Sequence, residues 1–379
     1  MQIRKLALAS MLASSFLLMA CSTDPRTTAT QAAAQQSTVA YQFTEFATFQ
    51  EPWAMTQLPD GTLLITERKG QLQWFNPVNK QTKTITGIPK VAYGGQGGLG
   101  DVQLHPDFAN NHLIYLSYAE AENNQYGATV VRAKLDLSVE QPKLENIQRI
   151  WTQVPKLSGQ GHYSYRILFD QAGKFWISSG ERQAFDPAQD MQSNLGKVIR
   201  LNDDGGIPQD NPFIAQGGIA QQIWSLGHRN PLGMAFDHKG QLWVIEMGPK
   251  GGDELNLVKK AANYGYPIVS NGDHYDGKPI PNHDTRPEFE APALDWTPVI
   301  SPSSLLFYRG EQFPAWQNKA IATGLSSKAV VIIDTEAQPV KEVARIEMGE
   351  RIRAAMQDRD GSIWVLQDGP NAKLLKLTP

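Results

Sequence analysis

The 379-residue chain has a single cysteine, Cys21. No disulfide can therefore form within the chain, and thiolates alone cannot make a zinc or iron–sulfur site. No Cys-x-x-Cys-His haem-attachment motif occurs. A His-Glu-x-x-His pattern, which would set two imidazoles on one helix face for zinc, is also missing. So is Gly-x-Ser-x-Gly, the turn that exposes a serine nucleophile. No basic run or basic helix is present and the net charge is −3, so nucleic acid is not an expected partner. No stretch keeps a helical apolar period over a dozen residues.

What the chain has in quantity is punctuation. Its 32 glycines and 24 prolines break it into short segments, which favours β structure over helix. A polar turn containing glycine, followed by a short apolar or aromatic run, recurs along the chain. It appears as PDGTLLITE (59–67), DFANNHLIYLSY (107–118), DQAGKFWISSGE (170–181), DHKGQLWVIEMG (237–248) and DRDGSIWVLQD (358–368). FPAWQNKAIATGL (313–325) is a degenerate sixth. Each reads as a turn entering a strand. Six strand-rich units spaced by roughly 50–70 residues predict an all-β fold, a six-bladed β-propeller. An irregular array of β-sandwiches is the alternative.

The first forty residues read differently. Arg4 and Lys5 precede an apolar run, Leu6 to Ala20, with the layout of a secretory signal. The run is short for a membrane span. Leu18-Met19-Ala20-Cys21 resembles a bacterial lipobox, which implies cleavage before Cys21 and lipidation of that residue. Ser22 after it points to the outer membrane by analogy. Residues 21–40, rich in Ser, Thr, Ala and Gln, cannot bury enough surface to fold and read as a tether. The expected organisation is thus a signal peptide (1–20), a lipidated tether (21–40) and one folded domain (41–379). The protein would face the periplasm and touch the membrane through its anchor only.

Several polar groups sit in apolar surroundings, where they need partners. GQGHYSYRILFD puts His162 four residues before Arg166. SLGHRNPLGMAF puts His228, Arg229 and Asn230 between a glycine and a proline. EMGPKGGDELNLVKKAANYGYP joins a Gly248-Pro249 turn to Asp253 and Glu254, and such oxygen-rich loops suit calcium. Arg351 and Arg353 are two apart, so on a strand both face one side, a disposition suited to a ligand with several carboxylates. GGQGGLG (94–100) contains Gly-x-Gly-x-x-Gly, but a strand and a turn follow where a dinucleotide site needs a helix. Taken singly, each group has an ordinary structural reading: a packed histidine, or an arginine bridging two blades.

The order of these motifs resembles the soluble quinoprotein sugar dehydrogenases, the glucose/aldose dehydrogenase family that uses pyrroloquinoline quinone (PQQ) and calcium. The resemblance runs from about Phe43 to the C-terminus. EPWAMTQLPDGTLLITER, GGQGGLGDVQLHPDF, RLNDDGGIPQDNPF, GHRNPLGMAFD, GPKGGDELNLVKKAANYGYP and GERIRAAMQDRDGSIWVLQD carry it. It implies a six-bladed propeller that oxidises aldose sugars or related alcohols to lactones, with a separate electron acceptor. His162 matches the general base, a role imidazole suits because it titrates near neutral pH. Arg229 and Asn230 match the pair that contacts cofactor and reacting oxygens, with His228 packed beneath them. Gln96, Arg351 and Arg353 match cofactor-binding positions. Gly248 and Pro249 match carbonyl ligands of the calcium beside the cofactor, and Asp253, Glu254 and Tyr264 match a second, structural calcium site. Three positions depart from the family pattern. Tyr165 stands where glycine is usual, Gly161 where Asp or Asn is common, and Ser326 where a cofactor-binding lysine is expected. Lys328, on the same face if that stretch is a strand, is the substitute. A non-redox propeller binding a saccharide or an envelope partner, and a calcium-dependent lactonase, are the alternative readings.

Overall fold

The computed structural model describes residues 41–379. Cys21, the signal-like run and the rest of residues 1–40 lie outside the described residues. From Gln42 onward the strands form six four-stranded sheets, each built from consecutive antiparallel strands, with one exception at the join. The last sheet takes three strands from the C-terminus, and its outer strand is Gln42–Phe49 from the start of the domain. That pairing closes the ring, with Phe43 opposite Leu377 and Phe49 opposite Ala372.

The innermost strands of the six blades are Pro52–Gln57, Leu99–Leu104, Ser164–Phe169, Pro231–Phe236, Pro302–Phe307 and Ile352–Gln357. All six recurring sequence units fall on the turn into, and the body of, the second strand of a blade: Leu63–Glu67, Leu113–Glu122, Phe175–Ser179, Leu242–Glu246, Ala320–Gly324 and Ile363–Gln367. These strands are covered on both faces by neighbouring blades. They therefore read as unbroken apolar runs, while an outer strand such as Lys341–Glu347 alternates between covered and exposed positions. The propeller expectation holds, and the sandwich alternative does not.

Two features of this arrangement place the site. Every innermost strand slips register just after its first paired residue, as at Pro52/Ala54, Ser164/Ile167 and Pro231/Gly233. Such bulges bend a strand and re-aim its side chains. In an antiparallel pair, moreover, the start of the first strand lies beside the end of the second. Residues just before the innermost strands and just after the second strands therefore share one mouth of the central channel.

Deeper in the channel the blades are tied by one side chain. Arg166 Nη1 lies 3.2 Å from Asp101 Oδ1, Nε donates to the Leu232 carbonyl at 2.9 Å and Nη2 donates to the Ser303 carbonyl at 2.9 Å. Its guanidinium carbon also sits 4.1 Å from the centre of the Trp53 ring. One guanidinium thus contacts blades one, two, four and five from its own place in blade three.

Candidate active site

A single device recurs at the channel mouth. In four blades a carboxylate at the end of the second strand, or within two residues past it, fixes a residue at the start of the same blade. Glu67 Oε1 accepts the Gln50 N–H at 2.5 Å, and Glu246 Oε2 accepts the Arg229 N–H at 2.7 Å. Asp368 takes Arg351 Nε at 2.8 Å on one oxygen and Arg353 Nη2 at 2.7 Å on the other. Glu181, fully buried, meets His162 Nδ1 at 2.5 Å.

The last pairing defines an acid–base centre. Burial pushes the Glu181 carboxyl up, but its hydrogen bond to His162 leads the influences that hold it below the usual carboxylate range, with the Phe185 N–H and the Arg229 charge beside it, so it stays ionised. An ionised acceptor makes Nδ1 the donor and leaves the lone pair on Nε2. Burial lowers the His162 pKa against the opposing pull of Glu181, so the ring is neutral at neutral pH. The backbone around it is strained. His162, Ser164 and Tyr165 have φ of 46°, 59° and 46°, a left-handed region costly to residues other than glycine. Gln96 Oε1 accepts the His162 N–H at 2.8 Å and helps hold this conformation.

Two cavities flank this segment. The first, about 240 Å³, is lined by Gln96, Ser164, Tyr165, Arg68, Arg351, Arg353 and Asp368 among others. Three guanidiniums against one carboxylate make it suited to an anion. The second, about 250 Å³, is lined by His162, Glu181, Phe185, Arg229, Tyr266 and Tyr275 among others. Arg229 and Asn230 stand near the junction. Asn230 Oδ1 accepts the Ser164 hydroxyl at 2.9 Å, while Asn230 Nδ2 and Arg229 Nε are buried with no hydrogen-bond partner. The Tyr163 hydroxyl, also buried, has none either. Leaving such donors unpaired is costly, and a ligand with oxygen acceptors would satisfy them.

His228 is buried beneath this pair, as expected. Its Nδ1 meets Glu246 Oε1 at 2.8 Å and its ring stacks on Tyr264 at 4.6 Å. The remaining site expectations fare less evenly. Lys328 is not brought to either cavity. Residues 325–328 form a turn, so strand alternation does not apply, and Lys328 Nζ donates to the Gly349 carbonyl at 3.0 Å from an exposed position. The Gly248 carbonyl, together with that of Met247, accepts Arg229 Nη1, at 2.7 and 2.9 Å. A guanidinium therefore already engages the Gly248 carbonyl, and Pro249 lines the second cavity.

Asp253, Glu254 and Tyr264 do not converge through their side chains. Asp253 accepts the N–H groups of Gly248 and Ser301 at 2.9 and 2.7 Å. Glu254 accepts Asn256 Nδ2 at 3.1 Å, and the Tyr264 hydroxyl donates to the Leu257 carbonyl at 2.5 Å. Successive residues of a strand point to opposite faces, which separates Asp253 from Glu254. Among the described residues, no three or more His, Cys, Asp or Glu side chains gather in a way that could hold a metal ion.

Two departures from the family pattern are accommodated locally. The Tyr165 ring lies where a Cβ on Gly100 would stand, 2.3 Å from Cε2, and packs 5.1 Å from Trp53. Gly161 leaves room that the Gln183 side chain fills, and Glu181 supplies the carboxylate that a residue at 161 does not. Glu181 escaped sequence reasoning although a signal was present. Four of the recurring units carry an acid at or within two residues of their end: Glu67, Glu181, Glu246 and Asp368.

The fold and site together define a propeller enzyme that handles a small polar molecule at its channel mouth. The chain belongs to the Glucose / Sorbosone dehydrogenase family, whose model matches residues 49–376. It is 39% identical over 339 residues to an aldose sugar dehydrogenase of Escherichia coli K12, covering 86% of this chain and 90% of that protein. The crystal structure of the soluble aldose sugar dehydrogenase from Escherichia coli in its apo form is similar with a TM-score of 0.84 and 37% identity, over 89% of this chain and 99% of that one. The PQQ-bound aldose sugar dehydrogenase from Streptomyces coelicolor is similar with a TM-score of 0.75 and 25% identity, over 89% and 98% of the two chains.

Proposed function

We propose that the protein oxidises aldose sugars at the anomeric carbon to lactones with PQQ as cofactor. The observation that carries this reading is the His162–Glu181 pair, which leaves an imidazole lone pair at Nε2 beside a cavity. That atom would take the proton of the anomeric hydroxyl, and Glu181 would stabilise the resulting imidazolium. Arg351, Arg353 and Gln96 would hold the cofactor carboxylates and edge, and the unpaired Asn230 Nδ2 and Arg229 Nε would receive oxygen acceptors. When bound, PQQ would supply the electrophilic carbonyl that accepts hydride. The electrons then leave to a separate acceptor, since no haem motif is present in the chain.

Calcium at the Gly248 and Pro249 carbonyls would share the Gly248 oxygen with the Arg229 guanidinium, with no cluster of carboxylates beside it among the described residues. The lipid anchor at Cys21 and a periplasm-facing place at the outer membrane belong to the same proposal and rest on residues 4–22 alone. Mass spectrometry of the membrane fraction tests the anchor: an acylated N-terminal Cys21 is expected, and a chain without lipid contradicts it.

The activity is tested by mixing the cofactor-free protein with PQQ and calcium and following dye reduction across a panel of aldoses. Turnover is expected, with a loss on the order of 10²- to 10⁴-fold in His162→Ala, compared at a temperature where both proteins are folded because the change also takes a partner from buried Glu181. Activity retained in that variant, or none in the parent, overturns the reading.

A further inference from the structure

Phe185 stands out among the aromatic residues of the second cavity. Its φ of 63° and ψ of −83°, with the Asp186 N–H donating to the Ala184 carbonyl at 2.9 Å, form a γ-turn of the rare, strained positive-φ kind. Only glycine adopts this conformation without penalty. The turn is nevertheless held firmly. The Phe185 N–H donates at 2.8 Å to Glu181 Oε2, the second oxygen of the carboxylate that orients His162. Fold stability does not account for a phenylalanine here, because its side chain remains 42% exposed. One face of the ring is backed by Tyr266, near parallel at 6.3 Å and 26°, and the His274 ring meets it edge-on at 5.8 Å. Strain kept at a functional site points to a function for the strained residue.

We propose that Phe185 is the specificity-determining residue for the sugar: a flat apolar platform for the C–H face of a pyranose ring. Stacking there leaves the ring's hydroxyl edge to Gln183 and Arg229, which line the same cavity. Glu181 couples the two tasks. One oxygen fixes the base and the other fixes the platform, so the distance from stacked ring to Nε2 is set by a single buried carboxylate. A substrate lacking a continuous C–H face gains nothing from the platform.

This inference rests on the proposed sugar oxidation, and its test separates the two. Steady-state kinetics with glucose are compared for the parent, Phe185→Ala, Phe185→Gly and Phe185→Tyr, each loaded with PQQ. Glucose binding to the PQQ-free proteins is measured in parallel by calorimetry. The Ala and Gly variants are expected to raise KM and weaken binding about ten-fold or more with kcat nearly unchanged, the signature of lost uniform binding. Phe185→Tyr keeps both values. Phe185→Gly also melts at a higher temperature than Phe185→Ala, which shows that the loss is not one of folding. Turnover with unaltered KM in Phe185→Ala overturns the inference and leaves the dehydrogenase reading intact. Phe185-dependent glucose binding without turnover in the parent does the reverse. Neither binding nor turnover in the parent overturns both.

Discussion

His162 Nδ1 and Glu181 Oε1 are 2.5 Å apart at the channel mouth, in a pocket that leaves Glu181 fully buried. Burial lowers the His162 pKa and the Glu181 contact partly restores it. The base is therefore competent below the ordinary histidine value, and the acid limb of kcat/KM for the PQQ-loaded enzyme should lie under about pH 6.5. Glu181→Gln removes the restoring charge, so the limb should move to still lower pH while the plateau falls through loss of the correct tautomer. A limb that moves upward, or a plateau that stays put, contradicts the assignment. The linkage has the same sign: the unfolded chain binds this proton more readily, so the group costs stability as pH falls through the unfolded value near 6.5.

Arg166 is expected to be the most stability-critical charged residue of the channel. Asp101, 1% exposed, is already pushed above the usual carboxylate range by burial, with Arg166 as its main opposing influence. Arg166→Met would take the only cation from that carboxyl, which keeps just the Val102 and Ile167 N–H groups, and the guanidinium donors from the Leu232 and Ser303 carbonyls. The urea midpoint should report a loss of about 3–5 kcal/mol, the usual result of removing one member of a buried pair. A loss below about 1 kcal/mol, typical of an exposed pair, would contradict the hub role.

Gly100 and Tyr165 form a matched pair across blades two and three. A Cβ at position 100 would stand 2.3 Å from Tyr165 Cε2 and 2.8 Å from Ser117 Oγ. Gly100→Ala should cost about 1–3 kcal/mol through overpacking. In a Tyr165→Gly background most of that cost should vanish, because the ring is gone and the left-handed backbone at 165 suits glycine. A double-mutant cycle by denaturant titration measures the coupling. Simple additivity would show that the ring is not what excludes a side chain at 100.

Much of this was legible in the sequence, and the reason is geometric. The recurring turn-plus-apolar units mark the second strands because those strands are buried on both faces and cannot alternate. Arg351 and Arg353 share a carboxylate, as two residues on one side of a strand can. Side-chain partners set by long-range contact were not legible. Glu181 reaches His162 across a blade turn, Gln183 fills the space beside Gly161, and Tyr165 finds room only because residue 100 is glycine. Lys328 misled because residues 325–328 turn where a strand was assumed. The metal reading of Asp253 and Glu254 missed that adjacent strand residues diverge. Burial pushes Asp253 up to about 6 even though it accepts N–H groups from two loops, so it serves here to tie those loops together.

Whether the channel-mouth cavity takes PQQ is decided by a binding titration. Purified protein is titrated with PQQ and followed by calorimetry, alongside Arg353→Met. One-to-one binding in the parent is expected, weakened roughly 10- to 100-fold in the variant through loss of a charge-assisted contact. No binding in the parent, or equal binding in the two proteins, would show that the guanidinium pair beside Asp368 is not a cofactor cradle.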